Sequence, residues 1–267
     1  MEKVSLDALL VTRGMVESRV LAQRLVMAGQ VRVNDEVELM PSTKVSVDAV
    51  LTVDQGPRFV SRGGDKLEAA LAAFGLDELQ YENCADVGAS TGGFTDCLLQ
   101  HGAGHVYAVD VGYGELDWKL RNDPRVTVME RTNARNVKGF PDAVNLVTID
   151  ASFISLKTLL PVVASWFGDR EGRVVALVKP QFEAKRKDAA KGEGVIRDPA
   201  VHRQVLNEVL TYAQDLGFGV QGLIRSPLHG PKGNTEFLAY CIWRGKQNAN
   251  LDEMIGCVLE NGAPGEI

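Results

Sequence analysis

The sequence predicts an α/β protein: a doubly wound, mostly parallel sheet with a small α+β module ahead of it. Three observations carry this. Apolar runs at 84–87, 106–109, 126–129, 144–149 and 174–178 each stop at a polar or acidic end, and helical patterns or loops separate them. Such runs mark strands buried on both faces. The first run passes through a glycine-rich turn at 88–93 into a helix, and the first fifty-odd residues differ in character from the rest. The expected partition is a module at 1–54, a linker at 55–63, a main domain at 64–246 and a tail at 247–267. A chain of 267 residues is long enough for one large core or two smaller ones.

The module begins with Leu6, Leu9 and Leu10 at helical spacing, ended by Gly14. Ser18-Arg19 opens a second helix with Leu21, Ala22, Leu25 and Val26 on one face, and Gly29 stops it. A strand at 31–33 with a tight turn, Pro41, and alternating strands at 44–47 and 50–53 follow. The Leu6-Asp7 pair, Gly14, Ser18-Arg19, Ala22, Leu25, Gly29, Val31, Val33-Asn34, Pro41, Val45 and Asp48 resemble the S4 domain, a small RNA-binding module. Ser5 departs from the basic residue often found there. The resemblance implies an RNA face of Arg13, Arg19, Arg24, Arg32 and Lys44, which would contact phosphates. From the residues alone these cations equally fit a solvated face, because eight Lys/Arg stand against eight Asp/Glu through Arg62. The whole-chain net charge of -6 excludes nucleic-acid binding by overall charge. Any such contact is local.

The stretch 55–64 is rich in turn formers and leads to SRGGDKL, where Lys66 occupies the first turn of a helix expected over 65–74. A cation facing the positive end of a helix dipole is poorly placed unless it points into a site that needs it. Next comes Asp86 and the turn Gly88-Ala89-Ser90-Thr91-Gly92-Gly93, followed by Phe94. Its spacing matches neither a dinucleotide fingerprint nor a Walker loop. It resembles the first motif of S-adenosylmethionine-dependent methyltransferases, an acid followed by G-x-x-x-G-G, which makes all eight of these residues cofactor candidates. Asp110 ends the next strand, where an acid would bind ribose hydroxyls or cap a helix. Asn133 follows the third strand, placed for an adenine edge or for capping a turn.

Asp150 ends the fourth run and Lys179 the fifth. A polar loop at 183–194 then carries Lys185, Arg186, Lys187 and Lys191, and reads as a substrate flap or a solvated loop. A helix at 199–216 leads to an antiparallel hairpin of 220–226 and 235–242, with Glu236 in its second strand. Beyond Lys246 the pattern weakens to one short amphipathic helix at 251–259 and a frayed end.

Behind the S4-like module, the ordered motifs SRGGDKL, DVGASTGGFTD, TIDASFISL, LVKPQFE and GNTEFL resemble the TlyA family, also called hemolysin A. Its catalytic domain is similar to the FtsJ-type ribose methyltransferases. The resemblance implies a Rossmann-like methyltransferase fold and S-adenosylmethionine as cofactor. It also implies a tetrad of Lys66, Asp150, Lys179 and Glu236, and methylation of the 2′-hydroxyl of a ribosomal RNA cytidine. Ribosomal RNA or ribosomal subunits are the implied partners, with Arg62, Lys185, Arg186 and Lys187 added to the RNA contacts. No metal is required.

The residue types suit the chemistry. A ribose hydroxyl is a weak nucleophile that must lose its proton as it attacks a methylsulfonium. Lysine can accept that proton only where its surroundings favour the neutral amine; a second lysine pushes that way, and paired acids push back. Lys179 is the expected base, Lys66 the second cation, and Asp150 and Glu236 the positioning partners. A base N-methyltransferase would use a D/N-P-P-Y/F motif where this chain has Asp150-Ala151-Ser152-Phe153, without either proline. A membrane-lytic protein has little support, because the sequence offers no spanning run and no strongly basic amphipathic helix. A non-catalytic RNA-binding protein would not need the tetrad. Four cysteines without C-x-x-C pairing, and a start without an apolar signal core, fit buried thiols in a cytoplasmic protein.

Overall fold

The computed structural model describes residues 3–54, 56–185, 192–246 and 250–260. Two compact units divide between Arg58 and Phe59. The first contains β1 (Lys3–Ser5), α1 (Leu6–Thr12), α2 (Arg19–Met27), β2 (Val31–Val33), β3 (Glu36–Val37), β4 (Lys44–Ser46) and β5 (Leu51–Val53). Ser18 caps α2 by accepting the Leu21 N–H at 3.2 Å. Asn34 and Asp35, both at positive φ, make the turn from β2 to β3. Leu6, Leu10, Ala22, Val26 and Val31 are fully buried between helices and strands. The sequence does not reveal β1, whose three residues are too few to show alternation and whose partner, β4, lies forty residues away.

The second unit adds α3 (Gly63–Phe74), β6 (Asn83–Val87), α4 (Gly93–Gln100), β7 (His105–Val109), α5 (Trp118–Arg121), β8 (Val126–Met129), β9 (Leu146–Ile149), α6 (Leu156–Phe167) and β10 (Gly172–Val178). It continues with α7 (Pro180–Glu183), α8 (Pro199–Leu216), β11 (Phe218–Arg225), β12 (Phe237–Trp243) and α9 (Leu251–Glu260). The seven strands run in the order β8-β7-β6-β9-β10-β12-β11. The first five are parallel, β12 is antiparallel to β10, and β11 is antiparallel to β12. This is the expected doubly wound sheet with its terminal hairpin. Strand order reverses between β6 and β9, so their carboxyl ends open a crevice for ligands.

Alternation along the strands sends Ala85, Val87, Tyr107, Val109, Val147 and Ile149 into a core with residues of α6 and α8. Cys84, Val106, Ala108 and Leu146 join residues of α3 and α4. Both faces are covered, which is why the strands read as continuous apolar runs.

Two boundaries follow from packing that the sequence pattern hides. Phe59 sits in the stretch of turn formers, yet it is buried against α3, and a Cβ at Gly64 would lie 2.1 Å from it. The Val60 N–H donates to the Asp96 carboxylate at 3.0 Å. The second unit therefore starts at Phe59. At the other end, α9 buries Ile255 completely and packs on α8 and β11, so the weakly patterned tail belongs to the second unit through Glu260.

Candidate active site

The glycine-rich turn is shaped by its protein neighbours as much as by any ligand. Gly88 follows β6 at φ +85°, and a Cβ there would lie 2.5 Å from the carbonyl oxygen of Asp150, which follows β9. A Cβ at Gly93 would meet the Ser61 Oγ at 2.3 Å and the Gly64 nitrogen at 2.8 Å. The glycines of SRGG and TGG thus face each other, which brings the first turn of α3, with Lys66, onto the turn. Between them Ser90 holds a positive φ of 46°. Its N–H donates to Asp110 Oδ2 at 2.8 Å and its Oγ to Glu115 Oε2 at 3.0 Å. A strained residue fixed by two acids is a held platform.

Two cavities meet at this turn. The larger, about 510 Å³, is lined by Gly88, Ser90, Asp110, Glu115, Asn133 and Phe153 among others. The smaller, about 280 Å³, is lined by Gly88, Ala89, Ser90, Thr91, Gly93 and Phe94 on one side, with Lys66, Asp150 and Lys179. They share Gly88, Ser90, Asp150 and Ser152. Asn133 answers both of its expected roles, lining the larger cavity while its Oδ1 caps the turn by accepting the Arg135 N–H at 3.1 Å.

Two of the expected cofactor residues line neither cavity. Asp86 is fully buried on the α4 side of the sheet, where Thr95 Oγ1 donates to it at 2.7 Å and Thr148 Oγ1 at 3.0 Å. Burial pushes its carboxyl up to about 7. It ties α4 to β9 beneath the turn. Gly92 makes room for Leu116 and Leu120, as a Cβ there would lie 2.2 Å from Leu120.

The four tetrad candidates form two ion pairs around the smaller cavity. Lys66 Nζ lies 2.6 Å from Glu236 Oε2, and Lys179 Nζ lies 2.6 Å from Asp150 Oδ1. Both lysines are buried, and Glu236 stands behind the lining on the other side of Lys66. Lys179 also donates to Ser152 Oγ at 3.0 Å, and Gln181 Nε2 donates to Glu236 Oε1 at 3.3 Å. The neighbouring motif residues build the frame. Glu183 accepts from Ser155 Oγ at 2.5 Å and from the Leu156 N–H at 2.7 Å, capping α6, and burial raises its carboxyl. Asn234 accepts the Ile196 N–H and donates to the Gly194 carbonyl, each at 2.9 Å, holding the segment that enters α8 against the loop before Glu236.

Residues 59–242 match the FtsJ-like methyltransferase family, and residues 4–51 match the S4 domain. The chain belongs to the FtsJ-like methyltransferase family. It is 46% identical over 247 residues to the 16S/23S rRNA (cytidine-2′-O)-methyltransferase TlyA of Mycobacterium tuberculosis, covering 90% of this chain and 89% of that one. It is 42% identical over 240 residues to Hemolysin A of Brachyspira hyodysenteriae, covering 89% and 99%. A solved Streptococcus thermophilus structure with a provisional hemolysin name superposes with a TM-score of 0.71 at 43% identity, covering 97% of this chain and 96% of that one.

Reasoning from the sequence missed three side chains of this FtsJ-like site. Ser152 and Phe153 stand two and three positions after Asp150, so their nearness to the cavity was readable. Their contacts were not. Phe153 is 90% exposed, holds φ at +63°, and lies 4.9 Å from the Phe182 ring. Glu115 had no signal, because a loop must fold back for it to reach Ser90.

The expected RNA cations of the S4 domain separate into two groups. Arg13 donates to the Ala49 carbonyl at 2.7 Å and to that of Val47, so its guanidinium fastens the end of α1 to the β4–β5 connection. Arg19 pairs with the buried carboxylate of Asp7 at 2.8 Å and holds it well below the usual carboxylate range. These two have structural work that accounts for them. Arg24, Arg32 and Lys44 are exposed, and Arg32 donates to the Asp35 carbonyl at 3.1 Å. Arg62 is exposed and lines the smaller cavity, and Lys185 is exposed, whereas Arg186 and Lys187 lie outside the described residues. Among the described residues no group of three or more potential ligands could hold a metal, and no helix is long and apolar enough to cross a membrane.

Proposed function

We propose that this protein methylates the 2′-hydroxyl of a cytidine in ribosomal RNA, using S-adenosylmethionine, with the S4 domain contributing RNA affinity. The observation that carries the reading is the shared wall of the two cavities. Gly88, Ser90, Asp150 and Ser152 belong to both, so a ligand held by the glycine turn and Asp110 would abut whatever lies against Lys179. When bound, S-adenosylmethionine supplies a methyl group on a positively charged sulfur. Asp110 and Glu115 suit its ribose hydroxyls, and the turn's backbone suits its methionine end.

On the other side of that wall, Lys179 stands hydrogen-bonded to Asp150 and Ser152. The hydroxyl proton would pass to this Lys179–Asp150 pair as the oxygen bonds to the methyl carbon and the carbon–sulfur bond breaks, the sulfur leaving as a neutral thioether. Lys66, held by Glu236, stabilises negative charge developing on the oxygen. Phe153, exposed beside Phe182, offers a shelf on which an unpaired base stacks. The named activity of the Mycobacterium tuberculosis relative supports cytidine and ribosomal RNA as the substrate. Such a substrate places the work in the cytoplasm.

The test is nucleoside mapping. Ribosomal RNA from cells lacking the protein is incubated with it and with labelled S-adenosylmethionine, digested, and separated. Label in 2′-O-methylcytidine is expected; label on a base would overturn the reading.

A further inference from the structure

The charge balance of the smaller cavity identifies a contact outside the tetrad. Five ionisable side chains line it: Arg62, Lys66, Asp150, Lys179 and His229. Lys179 is matched by Asp150, and Lys66 by Glu236 just behind it. Arg62 and His229 remain, both exposed, and the only carboxylate that lines the cavity among the described residues is Asp150, already paired with Lys179.

An RNA strand brings its own anion to this rim. The 2′-carbon of a ribose adjoins the 3′-carbon, so a hydroxyl presented to Lys179 carries a phosphate one atom further along the sugar. Phosphate contacts fix the register of a strand and are made by cations and hydrogen-bond donors.

The loop that carries His229 is braced for such a task. On one side, Ser226 Oγ donates to the Leu228 carbonyl at 2.7 Å. On the other, the Gly230 N–H donates to the Asn234 carbonyl at 2.9 Å, and Gly230 lies so close to Glu236 that a Cβ would sit 2.5 Å from its Oε1. The backbone is thus pinned on both flanks of His229, by the same segment that delivers Glu236, while the imidazole is left exposed at the cavity.

We propose that His229, together with Arg62, grips the phosphate beside the target ribose. This rests on the reading of the site as an RNA ribose methyltransferase. An imidazole offers a phosphate oxygen a ring N–H donor, beside the guanidinium of Arg62. The charged groups around it are Arg62 and Lys66 from the start of α3, Asp150 and Lys179 from the strand ends, Lys232 on its own loop, and Glu236 behind Gly230. Asp150 and Glu236 are each taken by a lysine, so among the described residues a phosphate is the counter-charge this rim can accept.

The experiment uses the full chain, deproteinised ribosomal RNA from cells lacking the protein, and saturating S-adenosylmethionine. RNA binding and methyl-transfer KM are measured between pH 6 and 8.5, and across salt, for wild type, His229→Gln and His229→Arg. At each pH wild type is expected to bind RNA about threefold to tenfold more tightly than His229→Gln. His229→Gln should be weak throughout, with a salt slope at pH 6 shallower by about 0.7 to 0.9. His229→Arg should stay tight at pH 8, and S-adenosylmethionine affinity should be the same in all three. If His229→Gln keeps the wild-type affinity and salt slope, the phosphate contact is refuted. Binding is read apart from turnover, so RNA that binds with the expected pattern and is never methylated would refute the methyl-transfer reading alone.

Discussion

In the S4 domain the expected functional cations lie largely in solvent, and two of them, Arg13 and Arg19, are occupied in fastening their own fold. In the FtsJ-like unit Lys66 and Lys179 are buried, and each meets a carboxylate at 2.6 Å. The difference lies in what burial demands. A buried ammonium must have a partner, so the elements that supply the partner are brought to it. An exposed guanidinium is tolerated with or without one. Odd placement of a charge in a sequence is therefore informative when the position is core and nearly silent when it is surface. Lys66 in a first helical turn is a signal. Arg13 among solvated residues is none.

That contrast can be broken or sharpened by substitution. The largest expected effect is at Lys66→Met, which leaves Glu236 buried without its cation and should cost about 3–5 kcal/mol. Urea unfolding of the full chain measures it. A loss below 1 kcal/mol would mean that the pair is as weakly coupled as a surface one.

Asp86→Asn comes next, and its effect depends on pH. The carboxyl is raised from 3.8 to about 7 in the folded protein, chiefly by burial. Between about pH 4 and 7 the folded state thus holds a proton that the unfolded state has lost. Its contribution to stability is fully present below pH 4 and falls as pH rises to 7, by a few kcal/mol at most. Wild type should therefore lose stability relative to Asp86→Asn between pH 5 and pH 8, as read by melts of the two proteins at each pH. Parallel pH profiles would show that the carboxyl is ionised throughout.

Smaller effects belong to the S4 domain. Arg13→Ala removes two hydrogen bonds to carbonyls and should lower its stability by about 1 kcal/mol, whereas Arg24→Ala should leave stability unchanged. In RNA binding the ranking reverses: Arg24→Ala should weaken affinity by about twofold to fivefold and make the salt slope shallower. Equal effects of both substitutions on both measurements would erase the division between fastening and contacting arginines.

Most of the sheet was legible because strands covered on both faces must be continuously apolar, as at 106–109 and 174–178. The convergence of Lys66, Asp150, Lys179 and Glu236 was legible through the motifs that carry them, since each stands at or beside the end of an element. What escaped depended on contacts between distant residues. Phe59 is buried only because Gly64 leaves room for its ring, and β1 exists only because β4 pairs with it. Asp86 adjoins a cofactor-type turn in sequence, yet its carboxylate is buried beneath it and taken up by Thr95 and Thr148. Glu115 reaches Ser90 across twenty-five positions that no local pattern encodes.

The central claim is that Lys179 and Asp150 take up the proton of a ribose hydroxyl. Single-turnover methylation of ribosomal RNA by Lys179→Ala, with S-adenosylmethionine binding measured in parallel, tests it most directly. The rate should fall by about a hundredfold to ten-thousandfold while cofactor affinity stays within about threefold of wild type. Methylation at the wild-type rate would contradict the account.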